Sequence, residues 1–151
     1  MATVAISSKY RSLAEKLTYG SSGGVKVFPN YMELFLFAAM VGYDDGKKEE
    51  LDPKSRDIEI KDHTFSKNDG LVYLLALNEK EDGEILRDNN EAECWRIVEE
   101  YANGGFGVIE EWLVESPSDT DGVNTVLRKI KERAISISKS DLGEITPDIE
   151  I

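Results

Sequence analysis

Residues 34–41 read Leu-Phe-Leu-Phe-Ala-Ala-Met-Val, an uninterrupted apolar run that constrains how the rest of the chain can pack. A helix that is apolar on every face lies inside a domain, surrounded by other elements. Asn30 is a favourable N-cap for this helix, and Glu33 at the third helical position completes a capping-box pattern. Gly42 is suited to end the helix. The sequence therefore predicts a central core helix over residues 31–42.

Helical spacing of apolar residues recurs on both sides of this run. Tyr10, Leu13, Ala14 and Leu17 follow the i, i+3, i+4, i+7 pattern, which predicts a first helix over residues 7–18. Capping and glycine signals predict four more helices. The first of these begins at Ser66, and the second begins at Asn89 or Asn90 and ends at a turn formed by Asn103-Gly104-Gly105. The third covers Phe106 to Leu113, and the fourth begins at Asp119 or Thr120.

The fold class expected is mainly α, an irregular bundle of about six helices around the buried apolar helix at residues 31–42. At most a short β-ribbon is expected, because Ile58–Lys61 alternates and could pair with Val25–Phe28. Residues 1–140 are expected to form a single helical domain, and residues 141–151 an extended or frayed C-terminal tail. In the last helix, the residues expected to face inward are Val123, Val126, Leu127, Ile130 and Ala134.

Composition narrows the class of protein. The 151 residues include 30 acidic and 18 basic side chains, a net charge of -12 that disfavours bulk attraction to DNA or to an anionic membrane. The single cysteine, Cys94, excludes an intrachain disulfide and a cysteine-rich zinc site. The first ten residues lack the apolar core of a signal peptide, and the run at 34–41 is too short to cross a bilayer. A cytoplasmic location without a membrane partner is expected.

The inventory of catalytic groups is poor. No nucleophile elbow, Walker or zinc-protease pattern occurs in the sequence. His63 beside Asp62 is read as a solvated imidazole, and Cys94 as a buried structural thiol. The glycines at 104 and 105 follow a helix rather than a strand, which favours a tight interhelical turn over a phosphate cradle. No catalytic residue, metal or cofactor is therefore expected.

Charge is distributed unevenly along the chain. Residues 79–115 hold twelve acids against three bases, a net charge of -9, whereas residues 1–43 carry +2. A solvated face and a docking surface for a basic partner both remain open. The candidate interaction residues are Glu99, Glu100, Tyr101, Asn103, Phe106, Glu110 and Glu111. Candidate phosphate contacts, for the alternative of nucleic-acid binding, are Arg128, Lys129, Lys131 and Arg133.

Two motifs carry a family resemblance. Residues 28–43 read Phe-Pro-Asn-Tyr-Met-Glu-Leu-Phe-Leu-Phe-Ala-Ala-Met-Val-Gly-Tyr, and residues 99–106 read Glu-Glu-Tyr-Ala-Asn-Gly-Gly-Phe. In order and spacing, over about residues 7–115, they resemble the small accessory protein family associated with bacterial DNA phosphorothioation (Dnd) systems. The resemblance transfers no catalytic residue to this chain.

The resemblance implies a protein of a modification-linked phage-defence locus, of the restriction-modification kind. Such a protein is expected to be a non-enzymatic adaptor or regulator that binds the larger protein subunits of the system. Direct DNA binding by the basic residues is the first alternative. A metal-dependent, nuclease-like enzyme built from the acidic clusters is the second.

Overall fold

The computed structural model describes residues 3–18, 27–65, 69–80, 91–119 and 122–135. The chain is mainly helical with one small antiparallel sheet, as the sequence predicts. The elements are β1 (Thr3–Ser7), α1 (Arg11–Thr18), α2 (Tyr31–Asp45), β2 (Arg56–Lys61), α3 (Asp69–Lys80), α4 (Glu91–Glu115) and α5 (residues 123–135), with single 3-10 turns at Ser8–Tyr10, Pro53–Ser55 and Asp62–Phe65.

The apolar helix α2 begins where its capping signal predicts. The Asn30 side chain accepts a hydrogen bond from the Glu33 N–H at 2.9 Å. Leu34 and Phe35 are fully buried, which confirms the central position of the helix. Its predicted end at Gly42 is wrong, because α2 continues to Asp45 and is capped by Gly46 in the left-handed conformation.

The predicted turn at residues 103–105 is wrong, because these residues lie inside the single 25-residue helix α4. Two glycines within a helix each cost about 1 kcal/mol relative to alanine, so a compensating contact is needed. That contact is with α2, since a Cβ on Gly105 would lie 1.7 Å from the Ala38 carbonyl oxygen. A Cβ on Gly42 would lie 2.0 Å from the Tyr101 carbonyl oxygen. The backbones of α2 and α4 therefore approach closely at this crossing. The two helices predicted before and after residues 103–105 are one continuous helix.

The predicted β-ribbon exists, but its partner strand is not the predicted one. β2 pairs with β1 in antiparallel register, with Thr3 opposite Lys61 and Ile6 opposite Ile58. The first helix accordingly begins at Arg11 rather than near residue 7. Of the expected partner Val25–Phe28, residues 25–26 lie outside the described part, and the N–H groups of residues 27 and 28 both donate to the Leu17 carbonyl.

Helix α5 packs less completely than its apolar pattern predicts. Val126 is 1% exposed, but Leu127 is 48% and Ile130 40% exposed, and Ala134 is also exposed. The expectation that all of these side chains face inward is therefore wrong. Lys129 and Arg133 instead occupy the inner side of α5 and lie over the ring of Trp112.

Several sequence predictions fall outside the described part of the chain. They concern the glycine-rich loop at residues 20–24, the cap at Ser66, most of the charged linker at 79–88, the side chain of His63, and the tail at 141–151. Within the described ranges, no helix combines the length and apolarity that crossing a membrane requires.

Candidate functional site

The predicted docking residues of α4 are largely internal. The exposed fraction is 8% for Glu99, 5% for Glu100, 7% for Tyr101, 6% for Asn103 and 1% for Phe106. These five residues lie where α4 is enclosed by the sheet, α2 and α3, so they do not form an open docking face. Glu110 is half-buried and Glu111 is exposed, and both remain candidates for an external contact.

Glu99 ties α4 to both strands of the sheet. Its carboxylate accepts a hydrogen bond from the Ala5 N–H at 2.8 Å and from the Arg56 guanidinium at 3.0 Å. Arg56 also donates to the Thr3 carbonyl at 3.0 Å. Burial raises the pKa of the Glu99 carboxyl, although the Arg56 guanidinium and the Ala5 N–H act in the opposite direction. Through its contacts with Ala5 and Arg56, the Glu99 carboxylate holds the sheet against α4.

Glu100 belongs to a second network, on the side of α3. Arg96 donates to its carboxylate at 2.8 Å, and the Lys48 ammonium lies 3.7 Å away. Lys48 also bridges to Glu79 of α3 at 2.8 Å, and the Tyr101 hydroxyl donates a short hydrogen bond to the same carboxylate. Burial, followed by the hydrogen bond to Glu79, raises the pKa of Tyr101 to about 12. This network fastens α3 and the segment after α2 to α4.

Asn103 completes the attachment of that segment. Its side-chain amide donates to the carbonyls of Glu49 and Glu50 at 3.2 Å each, and the Glu49 N–H donates to the Glu100 carbonyl at 3.0 Å. A Cβ on Gly104 would lie 2.3 Å from the Lys47 carbonyl oxygen, so the segment presses directly on the helix backbone. The polar residues predicted for docking thus serve internal contacts.

A polar cavity of about 480 Å³ lies beside these networks. Arg56, Arg96, Glu99 and Glu100 all line it, and their charges are already paired with one another or with close neighbours. A charged ligand in this cavity would have to displace those internal pairs, which costs free energy in a partly buried site.

An apolar groove of about 460 Å³ opens between α2, α3 and α5. Its exposed walls include Met40 on α2, Leu74 on α3 and Ile130 on α5, which are 48%, 52% and 40% exposed. Large apolar side chains grouped at the surface are typical of sites that bind proteins or apolar ligands. The remaining residues along its walls are Phe37, Val41, Tyr43, Asp44, Leu71, Leu75, Arg133 and Ala134.

Comparison with known protein families identifies the family to which the chain belongs. A sequence model of the family described as DNA sulphur modification system-associated protein 4 matches residues 4–145. The chain belongs to this family. The match confirms the resemblance drawn from the two motifs, and it extends past residue 115, where the resemblance was expected to end. Searches of curated proteins and of solved structures returned no match.

The four candidate phosphate contacts have different surroundings. Arg133 pairs with Asp44 and Asp45 and lies 5.3 Å from the centre of the Trp112 ring. Lys129 lies 5.9 Å from the same ring. The side chains of Arg128 and Lys131 are exposed on the outer side of α5. The structure therefore divides the four residues into two that brace α5 and two that face solvent.

The part of this family member that the structure describes contains no cluster of three histidine, cysteine or acidic side chains that could hold a metal ion. Cys94 is fully buried, as the sequence predicts, and burial raises the pKa of its thiol. A raised pKa disfavours the thiolate, which is the reactive form.

The groove is the feature that sequence reasoning missed in this family member. The spacing of Val123, Leu127, Ile130 and Ala134 is four, three and four residues, which places them on one side of a helix. The same spacing predicts one apolar face of the last helix, but it does not tell which of these side chains another element covers. In the structure only the Val126 edge of that face is fully buried among the apolar residues of α5.

Proposed function

We propose that the protein is a non-enzymatic accessory protein of a bacterial DNA phosphorothioation system linked to phage defence, acting in the cytoplasm by binding a larger protein subunit of that system. Membership of the DNA sulphur modification system-associated family supports the setting. The single observation that carries the binding role is the open apolar groove between α2, α3 and α5. Apolar side chains grouped at the surface in this way are typical of sites that a protein partner covers.

The groove is a better candidate than the acidic residues of α4 because its side chains are free to make new contacts. Met40, Leu74 and Ile130 are each at least two-fifths exposed, whereas Glu99 and Glu100 are buried and paired. Fully burying an exposed leucine or isoleucine contributes roughly 1.5–3 kcal/mol, so covering the exposed half of each of these side chains contributes roughly 1 kcal/mol. The three together reach the scale of an interface hot spot.

Direct DNA binding is the weaker alternative. Arg128 and Lys131 are exposed on one side of α5, but the net charge of -12 opposes approach to a polyanion. Arg133, the basic residue that lines the groove, is already paired with Asp44 and Asp45. Titration of DNA fragments at low and moderate salt would test the alternative, because phosphate contacts produce a steep loss of affinity as salt rises.

The proposed function can be tested by co-expressing the tagged protein with the larger subunits encoded in its own locus. The groove variant is Leu74→Glu, and the matched control is Val114→Glu on α4, where the wild-type side chain is 71% exposed and does not line the groove. We expect wild type and the Val114 variant to co-purify with a subunit, and the Leu74 variant to lose it. Recovery of the wild-type protein as a free monomer, with its subunits present, would contradict the proposal.

A further inference from the structure

We infer that the free edge of β2 pairs with the same edge of a second copy of this chain, so that the two small sheets join into one antiparallel sheet. The contact involves no residue that lines the apolar groove, and it does not depend on the proposed function. It follows from the backbone groups that β2 leaves without a partner and from the charged side chains beside them.

The sheet has one covered edge and one open edge. Strand β1 is enclosed, since Val4, Ala5 and Ile6 are each at most 3% exposed. The Ala5 N–H donates to the Glu99 carboxylate at 2.8 Å rather than to β2, so it points away from β2. The outer side of β1 is therefore taken by α4, and β2 is the strand at the open edge of the sheet.

The register identifies the backbone groups that remain open on β2. Glu59 lies opposite Ala5, and Lys61 lies opposite Thr3. In an antiparallel pair, residues that exchange hydrogen bonds alternate with residues whose N–H and C=O groups point away from the partner strand. Because the Ala5 N–H points away from β2, the N–H and C=O groups of Glu59 and Lys61 point away from β1. Within the described ranges, no group accepts a hydrogen bond from either N–H.

An edge with open N–H and C=O groups is a template for another strand. Edge strands usually carry charged side chains that keep other strands away. On β2 the two charges have opposite signs, and Glu59 and Lys61 share one face of the sheet because they are two residues apart. This pattern repels a strand of uniform charge but is complementary to an antiparallel copy of itself.

Both charged side chains are available for a contact outside the chain. The side chain of Glu59 is 62% exposed, and its ion pair with the Arg56 guanidinium is long, at 3.9 Å. Lys61 is exposed, and in the part of the chain that the structure describes no carboxylate forms an ion pair with it. An exposed ion pair at such a distance contributes little to stability, so a new partner for Glu59 costs the fold little.

A two-fold axis at Ile60 makes two copies of β2 complementary. With Ile60 opposite the partner's Ile60, Glu59 of each chain lies opposite Lys61 of the other. Each of these pairs exchanges both of its backbone hydrogen bonds and places opposite charges side by side. Sliding one copy to the next hydrogen-bonded register puts Glu59 opposite the partner's Glu59, and like charges in that position are destabilising. Charge therefore selects the register centred on Ile60.

The net charge of the chain limits the strength of this contact without preventing it. Each copy carries -12, which opposes association at low salt. At about 0.15 M salt, charges separated by more than roughly 8 Å are largely screened. Side chains of a cross-strand pair, with Cβ atoms about 5 Å apart, lie inside that distance. A contact between two short strands is smaller than a permanent interface, so we expect a weak dimer that depends on concentration.

The test is sedimentation equilibrium of the full-length protein at moderate salt and at concentrations up to about 1 mM. We expect wild type to dimerise as its concentration rises. The variants Glu59→Lys and Lys61→Glu each place like charges opposite one another, and each should weaken the dimer at least about 10-fold. An equimolar mixture of the two variants should restore the wild-type affinity, because the two lysines of one chain then lie opposite the two glutamates of the other. Restoration in the mixture also shows that both variants fold.

The outcomes separate strand pairing from an effect of net charge. Glu59→Lys makes the chain less negative, so net repulsion alone predicts a tighter dimer, whereas strand pairing predicts a weaker one. Wild-type protein that stays monomeric at the highest concentration would overturn the inference. A mixture that associates no more tightly than the separate variants, or a dimer that Leu74→Glu in the groove dissociates, would overturn it as well. The proposed function is tested separately, by co-purification with the larger subunits.

Discussion

The crossing of α2 and α4 and the groove beside α5 show two opposite ways in which apolar helices can be used. At the crossing, Gly42 and Gly105 allow backbone atoms of α2 and α4 to meet, so the two helices are held by close packing. At the groove, Met40, Leu74 and Ile130 leave a gap of about 460 Å³. The contrast separates the part of the molecule that holds the fold together from the part that we propose binds a partner.

Helix α2 takes part in both regions through different faces. Its Ala38 and Gly42 contact α4, whereas Met40, between them in sequence, lies at the groove. Substitutions on the first face should therefore change the free energy of unfolding, and substitutions on the second should change partner binding. Measuring both the free energy of unfolding and partner binding on the same variants would test whether the two faces have separate roles.

The largest effect is expected for Gly105→Ala. The new Cβ would lie 1.7 Å from the Ala38 carbonyl oxygen, a backbone atom that cannot rotate away, so the two helices must separate. We expect a loss of more than about 4 kcal/mol in the free energy of unfolding, measured by denaturant titration. Gly107→Ala is the control, since its nearest foreign atom is the Tyr10 hydroxyl oxygen at 3.2 Å, which needs to move by only a few tenths of an ångström, and a change of less than about 1 kcal/mol is expected. Wild-type stability of the Gly105 variant would refute the close crossing.

A matched pair of leucines compares the two faces directly. Leu34 is 0% exposed and Leu74 is 52% exposed, although both lie on helices that face the same core. We expect Leu34→Ala to lower the free energy of unfolding by about 3 kcal/mol through loss of burial and formation of a cavity. Leu74→Ala should change it by less than about 0.5 kcal/mol. Equal losses in the two variants would mean that the groove is closed in solution.

A smaller effect is expected for Tyr101→Phe, which removes the hydrogen bond to Glu79 but keeps the ring. Glu79 retains Lys48 at 2.8 Å, so the loss should be about 1 kcal/mol near neutral pH. Because the pKa of Tyr101 is raised from 10.0 to about 12, the advantage of wild type should be complete below pH 10 and should disappear as the pH rises through 12. Thermal melts across that range would test it, and a difference that grows with pH would contradict the raised pKa.

The smallest effect is a difference in pH dependence between wild type and Glu99→Gln. Burial raises the pKa of Glu99 above its ordinary value of 4.5, so the folded state binds a proton at this carboxyl more readily than the unfolded chain does. Stability from this group is complete below that value and is lost as the pH rises through the folded pKa. Relative to wild type, the glutamine variant should therefore be more stable at pH 7 than at pH 4. The opposite trend in melting temperatures would show that the pairing with Arg56 outweighs burial.

Local signals were sufficient for some elements and insufficient for others. Asn30 caps α2 as predicted, because a cap depends on residues three positions apart in sequence. The strand Thr3–Ser7 was missed because its hydrogen-bond partner, Arg56–Lys61, is distant in the chain. The turn at Asn103-Gly104-Gly105 was wrongly predicted because glycine normally disfavours a helix interior, and the contact that reverses this preference is with another helix.

Local sequence signals were also insufficient to predict the candidate site. The sequence located the acidic residues of α4, but the distant partners Ala5, Arg56 and Lys48 convert Glu99 and Glu100 from surface charges into internal contacts. The spacing of the apolar residues of α5 was visible, but spacing does not tell which face is covered. Val126 is buried and Leu127 is exposed although they are neighbours in sequence.

By itself, the sequence determined a mainly helical chain, the buried helix centred on residues 34–41, the excess of negative charge and the family to which the protein belongs. These properties depend on composition, short-range spacing and local capping, which involve only residues that are close together in the sequence. The folded chain is needed to show that Gly105 of α4 lies at a crossing with α2, that the carboxylates of Glu99 and Glu100 are internal, and that an apolar groove remains open. Each of these depends on contacts between residues that are distant in sequence. Those contacts decide how much surface each side chain buries, and therefore how much free energy its burial contributes.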